Sequence, residues 1–362
     1  MPPEGEHSSL DPPRVLASAA SGVVDLIERH GGDVDAIFGR AKIRMDDVED
    51  PFNELSLRKY CQLFDEAARQ TGDDNFGLHF GDQFQPRQLG AIGYAAISSP
   101  TLAAALRNME TYFPAHQGQT SFGLLRDGDI LWLSYRIYDP RIENRRQDAE
   151  LSLGMFRNIL RNALGPEWAP LEVRFEHERR GSGDAHERTF GAPVRFGRRT
   201  NAIAFHRSSL DARMPDQDPY LFSVVEHFLK SRHGSRGDIG DFTTVVCNQI
   251  KLILGDTTPG QTEIARILGL TKSRFRRELK KHGLAFQDLL RAARQDLALH
   301  YMNDPDMPLT DVAFSLGYSE LSAFSRAFRN WTGMSPQKYR RTELAAENTA
   351  TPAPTRPPCA AG

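Results

Sequence analysis

Apolar positions recur first at helical spacing. Val15, Ala19, Val23, Leu26 and Ile27 fall three and four residues apart and predict a helix that Gly31-Gly32 ends. Leu57, Tyr60, Leu63, Phe64 and Ala67 predict a second, stopped near Gly72. Leu102, Ala105, Leu106, Met109 and Phe113 predict a third, opened by Ser99-Pro100-Thr101. The period then changes to two. Residues 121–125 and 130–135 flank Asp127-Gly128, a strong hairpin signal. A helix is expected over 147–164 with Leu151, Met155, Ile159 and Leu160 inward, closed by Gly165-Pro166. Strands are expected at 171–177, 194–196 and 202–206, a loop at 181–184 and a helix at 219–229. With 90–97 as a further strand, the middle of the chain predicts a β-α-β-β-α-β split sandwich on an antiparallel sheet. From Phe242 onward the pattern is helical.

The fold class that follows is an α+β N-terminal domain of helices plus an antiparallel sheet, followed by an all-α domain. The expected organisation is a disordered 1–13 rich in Pro, Glu and Ser, a domain at 14–230, a polar glycine-rich linker at 231–240, a helical domain at 241–341 and a disordered Ala/Thr/Pro tail at 342–362. Residues 1–13 lack the apolar core of a secretory signal, and no apolar run reaches the ~18 residues of a membrane helix. Cys61, Cys247 and Cys359 are too few and too scattered for a disulfide framework or a cysteine zinc site, which fits a reducing cytoplasm.

Charge changes this picture. Of 45 Lys and Arg, residues 241–342 hold 15, against 10 of the 47 Asp and Glu. The helical region is therefore net +5 and the remainder −7, the arrangement of a polyanion-binding module joined to an acidic body. Two stretches in that region look alike. Ile264-Ala265 precedes Leu268-Gly269-Leu270-Thr271, and Val312-Ala313 precedes Leu316-Gly317-Tyr318-Ser319, the alanines 48 residues apart. In a helix-turn-helix each residue has a reason: a small alanine where helices cross, a glycine for a left-handed turn, and a hydroxyl to cap the next helix. After the first turn Phe275 and Leu279 face inward, while Ser273, Arg276, Arg277 and Lys280 lie outward. After the second, Phe324, Ala327 and Phe328 face inward, and Ser322, Ser325, Arg326 and Arg329 lie outward with the same spacing. Such a stripe suits the DNA major groove, where Arg donates two hydrogen bonds to guanine while Lys and Ser meet phosphate oxygens. One helix predicted over 286–301 spans ~24 Å and would hold both heads near one turn of DNA, ~34 Å, apart.

Residues 265–341 resemble the double helix-turn-helix of the AraC/XylS family of bacterial transcription regulators. The second half carries the likeness in Leu309-Thr310-Asp311-Val312-Ala313, Leu316-Gly317-Tyr318-Ser319-Glu320, Ser322-Ala323-Phe324-Ser325-Arg326-Ala327-Phe328, Trp331-Thr332-Gly333-Met334-Ser335-Pro336 and Tyr339-Arg340. The resemblance implies base-reading positions at Ser273, Arg276 and Arg277 in the first head and at Ser322, Ser325 and Arg326 in the second. It implies phosphate contacts at Lys272, Arg274 and Arg329. Leu321 stands where the family is often polar, and a leucine there can meet a thymine methyl. Residues 14–230 resemble the family's arabinose-binding-like N-terminal partner in Thr71-Gly72-Asp73, Phe76-Gly77-Leu78, Leu89-Gly90, Gly93-Tyr94, Ser98-Ser99-Pro100-Thr101-Leu102, Arg146-Gln147, Glu150 and the run Phe190 to Phe196. Their helix content departs from a double-stranded sugar-binding barrel, so arabinose itself is not implied.

The function that follows is a DNA-binding transcription regulator, not an enzyme. It would be an activator by resemblance, acting on double-stranded promoter DNA and responding to a small-molecule effector, with RNA polymerase and a second copy of the chain as further partners. The alternative is a ligand-independent regulator whose N-terminal domain only dimerises. No cofactor or metal is expected. The 11 histidines do not cluster at metal spacing, Gly181-Ser182-Gly183 lacks the third glycine of a phosphate fingerprint, and no Gly-x-Ser-x-Gly elbow occurs. Glu143, Asp148 and Glu150 are expected as solvated charges at a helix start. Arg146 and Glu150, four apart, form either a surface ion pair or a buried pair lining the effector site. Tyr112, His116, Trp132 and Tyr135 either line a pocket between helix and sheet or belong to the core.

Overall fold

The computed structural model describes residues 13–139, 141–180, 184–198, 200–232, 242–254, 258–268, 270–281, 283–302 and 307–341. Residues 1–12 and 342–362 of the expected disordered ends, and 233–240 of the expected linker, lie outside the described residues; Pro13 instead is buried with its carbonyl accepting the Leu57 N–H at 2.8 Å, and residues 231–232 are the last of a helix. The chain opens with β1 (Arg14–Leu16), a short 3₁₀ turn and α1 (Val23–Arg29). Then come α2 (Val34–Ala41), α3 (Asp46–Glu49), β2 (Glu54–Ser56), α4 (Leu57–Thr71), α5 (Phe76–Gln83), α6 (Ala91–Ile97) and α7 (Leu102–His116). The hairpin β3 (Thr120–Asp127) and β4 (Ile130–Ile137) leads to α8 (Arg146–Leu164), β5 (Glu172–Arg174), α9 (Asp184–Phe190), β6 (Val194–Arg195), β7 (Asn201–His206) and α10 (Pro219–Arg232). The rest is helical: α11 (Phe242–Ile253), α12 (Gln261–Ile267), α13 (Lys272–Lys281), α14 (Phe286–Met302), α15 (Leu309–Ser315) and α16 (Leu321–Thr332).

The α+β class and the hairpin agree with the sequence pattern, but several local expectations do not hold. Val15 belongs to a strand, because residues 14–16 pair antiparallel with residues 54–56 and Ala19 sits in the 3₁₀ turn that follows. Residues 91–97 are helix, because Ile92, Ala95, Ala96 and Ile97 bury an alanine-rich surface that suits a helix as well as a strand. The split sandwich therefore loses its first strand. The sheet runs β3-β4-β7-β5-β6, antiparallel except for the parallel pair β5–β6. The strand expected over 171–177 is only three residues long, and Asp184, expected in a loop, opens α9.

Helix α8 runs through the middle of the larger core. Every residue from Gln147 to Arg157 is buried, so both its apolar stripe and its polar residues face protein. Glycines let α5 lie against it. A Cβ on Gly81 would run into the Leu151 carbonyl, and one on Gly154 would sit 2.6 Å from the Gly81 carbonyl carbon. Asn158 then closes the end of α5, its amide donating to the carbonyls of Gly81, Asp82 and Phe84 at 2.8–3.0 Å. One apolar cluster gathers residues between Val15 and Met214. A second gathers Val246 to Phe328 together with Tyr138, where α11 and α12 pack on β3.

Candidate nucleic-acid interface

The two predicted turns are built alike. The N–H of Leu270 donates to the Ala265 carbonyl at 2.8 Å, and that of Tyr318 to the Ala313 carbonyl at 3.0 Å. Ala265 and Ala313 are buried where each first helix meets its neighbour. Gly317 takes the left-handed conformation at φ 71°, and Gly269 lies outside the described residues. The Thr271 hydroxyl accepts the Arg274 N–H at 3.2 Å and so caps α13 as expected. Ser319 does not cap α16. That helix starts one residue later than a Ser319 cap requires, with Glu320 at the cap position accepting the Ser322 hydroxyl at 2.7 Å.

Phe275 and Leu279, and Phe324 and Phe328, anchor the two second helices in the shared core. Their opposite faces stand in solvent. Lys272, Ser273, Arg274, Arg276, Arg277 and Lys280 of α13 are exposed, as are Ser322, Arg326 and Arg329 of α16, while Ser325 is half-buried. Arg276 leans back, its Nε donating to Gln261 Oε1 at 3.2 Å. Helix α14 fixes the second turn. Arg294 donates to the Leu316 carbonyl at 2.9 Å and stacks 4.6 Å from the Tyr318 ring centroid. Lys251 of α11 pairs with Asp296 of α14 on the same support.

The six residues expected around an effector are placed in different surroundings. Tyr112 packs with Ala95 and Leu229, and its hydroxyl donates to Glu226 of α10 at 3.0 Å. His116 is wholly in the core, and burial pushes its pKa down to about 4, so the ring is neutral. Tyr135 is also core: its hydroxyl donates to Asp148 at 2.7 Å and accepts from Gln117 at 2.8 Å. Trp132 lies on the other face of β4, with the Arg174 guanidinium 3.6 Å over its ring. Of the two readings open for these four, Tyr112, His116 and Tyr135 take the buried one, and Trp132 lies on the sheet surface.

Arg146 and Glu150 are brought together, and inside the protein. Glu150 is fully buried and Arg146 one-tenth exposed, with Nε donating to Oε1 at 2.9 Å. Neither Glu150 nor Asp148 is a solvated charge at a helix start, because α8 is enclosed from its first turn; Glu143 alone is exposed. Burial pushes the Asp148 carboxyl up to about 7, partly offset by the Tyr135 hydroxyl. Two residues that sequence reasoning did not place here complete the cluster. His186 Nε2 lies 2.8 Å and His177 Nε2 3.5 Å from Glu150 Oε1. Among the described residues Glu150 Oε2 and His186 Nδ1 find no hydrogen-bond partner. In the sequence these two histidines merely flank the glycine loop at 181–184.

Residues 31–214 match the family of the arabinose-binding N-terminal domain of AraC transcription regulators, and residues 264–342 match a helix-turn-helix domain family. The chain is 24% identical over 341 residues to the ornithine utilization regulator of Pseudomonas aeruginosa, spanning 90% of this chain and 96% of that protein. It is 25% identical over 330 residues to the HTH-type transcriptional regulator VirS of Mycobacterium tuberculosis, with the same two coverages. Among solved structures, the transcriptional regulator CdpR from Pseudomonas aeruginosa aligns at a TM-score of 0.41 and 21% identity, over 88% of this chain and 98% of that one. No helix among the described residues is long and apolar enough to cross a membrane. With its N-terminal half matched over more than half of the chain and its paired turns built to one plan, the protein belongs to the AraC family of transcription regulators.

Proposed function

We propose that this regulator inserts α13 and α16 into successive major grooves of promoter DNA, and that residues 14–230 bind a small effector whose presence shifts DNA occupancy. The observation that carries the reading is the pair of exposed basic helix faces whose apolar anchors share one core. In this reading Ser273, Arg276, Arg277, Ser322, Ser325 and Arg326 read base edges, and Lys272, Arg274, Lys280 and Arg329 hold phosphates. Arg276 must let go of Gln261 to reach a base. Ligand binding couples to DNA through a change in the balance of conformers, and the regulator activates transcription at a promoter where it meets RNA polymerase. The buried Arg146, Glu150, His177 and His186 supply the polar contacts to the effector.

The alternative, in which residues 14–230 serve only to join two copies, is favoured by one observation: Tyr112, His116 and Tyr135 are buried in packing, and Trp132 lies on the other face of β4 from Tyr135. Selection of genomic DNA fragments by the purified protein, with and without metabolite extract, tests both readings. A two-box motif about one turn apart supports the DNA reading, and its enrichment by extract supports the effector. A motif indifferent to extract leaves the dimerisation reading standing.

Two substitutions sort the contacts. Arg326→Ala is expected to weaken operator binding by ~1–3 kcal/mol, relax one base position and leave random DNA nearly unchanged. Equal weakening of both DNAs, measured by competition binding, would remove Arg326 from the base-reading set. Lys280→Ala is expected to weaken both DNAs alike and flatten the salt dependence by about one phosphate charge. An unaltered slope would remove Lys280 from the phosphate set.

A further inference from the structure

Away from the DNA-facing helices, three side chains distant in sequence converge. His30 caps the end of α1, Asp73 lies in the connection between α4 and α5, and His79 sits on α5. Both imidazole Nδ1 atoms point at one oxygen: Asp73 Oδ2 is 2.7 Å from His79 Nδ1 and 3.3 Å from His30 Nδ1. All three atoms lie within 4.8 Å of one another. We propose that they form a binding site for a divalent first-row transition ion of the zinc class.

The spacing suits such an ion. Donors held ~2.0–2.1 Å from a tetrahedral centre stand ~3.3–3.4 Å apart. The His30–Asp73 edge already has that length at 3.3 Å, the His79–Asp73 edge has to open from 2.7 Å by about 0.6–0.7 Å, and the His30–His79 edge lies within the 4.8 Å that bounds the group. Two imidazoles with one carboxylate select zinc, cobalt or nickel over magnesium and calcium, which demand oxygen donors. The charge around the site is right as well. The ion pairs of Asp73 among the described residues are with these two histidines and include no Lys or Arg. The carboxylate is also oriented, since Asp73 Oδ1 accepts the Asn75 N–H at 3.0 Å and leaves Oδ2 to the histidines. His30 and His79 are exposed, so a bound ion keeps a position open to water or an external ligand.

The neighbours give the site a consequence. The Asp74 carbonyl, next in the chain, accepts from Gln147 Nε2 at 2.9 Å, in the first turn of α8. An ion here ties α1, the α4–α5 connection and α5 together at the start of the helix that carries Glu150. The sequence hid this arrangement because 43 residues separate His30 from Asp73.

Titration of the full chain with zinc chloride in chelator-free buffer, followed by calorimetry, tests the proposal. One saturable equivalent is expected. His30→Ala and His79→Ala should each weaken it about tenfold or more, and the double variant should abolish it. Both residues are exposed, so the variants should keep the wild-type circular dichroism spectrum, and zinc should raise the melting temperature of the wild type alone. Cobalt should give visible ligand-field bands without a thiolate charge-transfer band, which excludes the cysteines. Absence of saturable binding, or the same affinity in the double variant, overturns the site.

Discussion

Replacing Gly154 with alanine should lower the stability of the protein by about 3 kcal/mol or more, a large part of the ~5–15 kcal/mol a folded protein has to lose. The added methyl would stand 2.6 Å from the carbonyl carbon and 2.8 Å from the Cα of Gly81. The obstacle is backbone, so no side-chain rotation relieves it. Helices α5 and α8 must separate, which opens the core around Phe80 and Phe156 and pulls Asn158 off the carbonyls it caps. For a domain of this size the melting midpoint should fall by roughly 6–12 °C. Gly39→Ala is the matched control. It also adds a methyl inside a helix, but nothing lies within 4 Å of the position, so it should be neutral or stabilise by up to ~1 kcal/mol. Equal midpoints for the two variants, measured by urea and thermal unfolding, would sink the close-approach argument.

The helix pair also shows where sequence reasoning stops. The inward positions Leu151, Met155, Ile159 and Leu160 of α8 were legible, because an apolar stripe has a period. The glycines of the crossing were not, since close approach of two backbones depends on a partner about 70 residues away. Burial of polar residues is opaque for the same reason. Glu150 at a helix start reads as solvated until His177, from the segment after β5, and His186, from α9, are seen to close over it. Residues 91–97 failed differently: a short alanine-rich run fits either period, and length alone could not decide. The helix-turn-helix units were the most legible part because their rules are local. Alanine, glycine, hydroxyl and apolar anchor fall within about a dozen residues, and the matching Leu270 and Tyr318 hydrogen bonds follow from that spacing. Even there the cap at Ser319 was displaced, because Glu320 takes the Ser322 hydroxyl and begins the helix itself.

Glu150→Ala should be as damaging as the glycine replacement, and its conservative partner is more informative. The carboxylate is fully buried and accepts from both Arg146 Nε and His186 Nε2 through one oxygen. Deleting it leaves the Arg146 guanidinium, itself only one-tenth exposed, without its countercharge, at a cost of about 3–5 kcal/mol. Glu150→Gln keeps the volume and one acceptor but removes the charge, so it should lose less stability than the alanine variant. The two variants separate the structural role of the cluster from a sensing role. If Glu150, Arg146, His177 and His186 only hold α8 in place, Glu150→Gln should bind operator DNA and respond to metabolite extract in proportion to its folded fraction. If they meet the effector, Glu150→Gln should still bind the operator while its response to extract disappears, because the charge that orients the ligand has gone while the volume of the side chain is kept. Operator binding measured with and without extract, at equal folded concentration, distinguishes these results. A full response in Glu150→Gln would move the effector site elsewhere in residues 14–230.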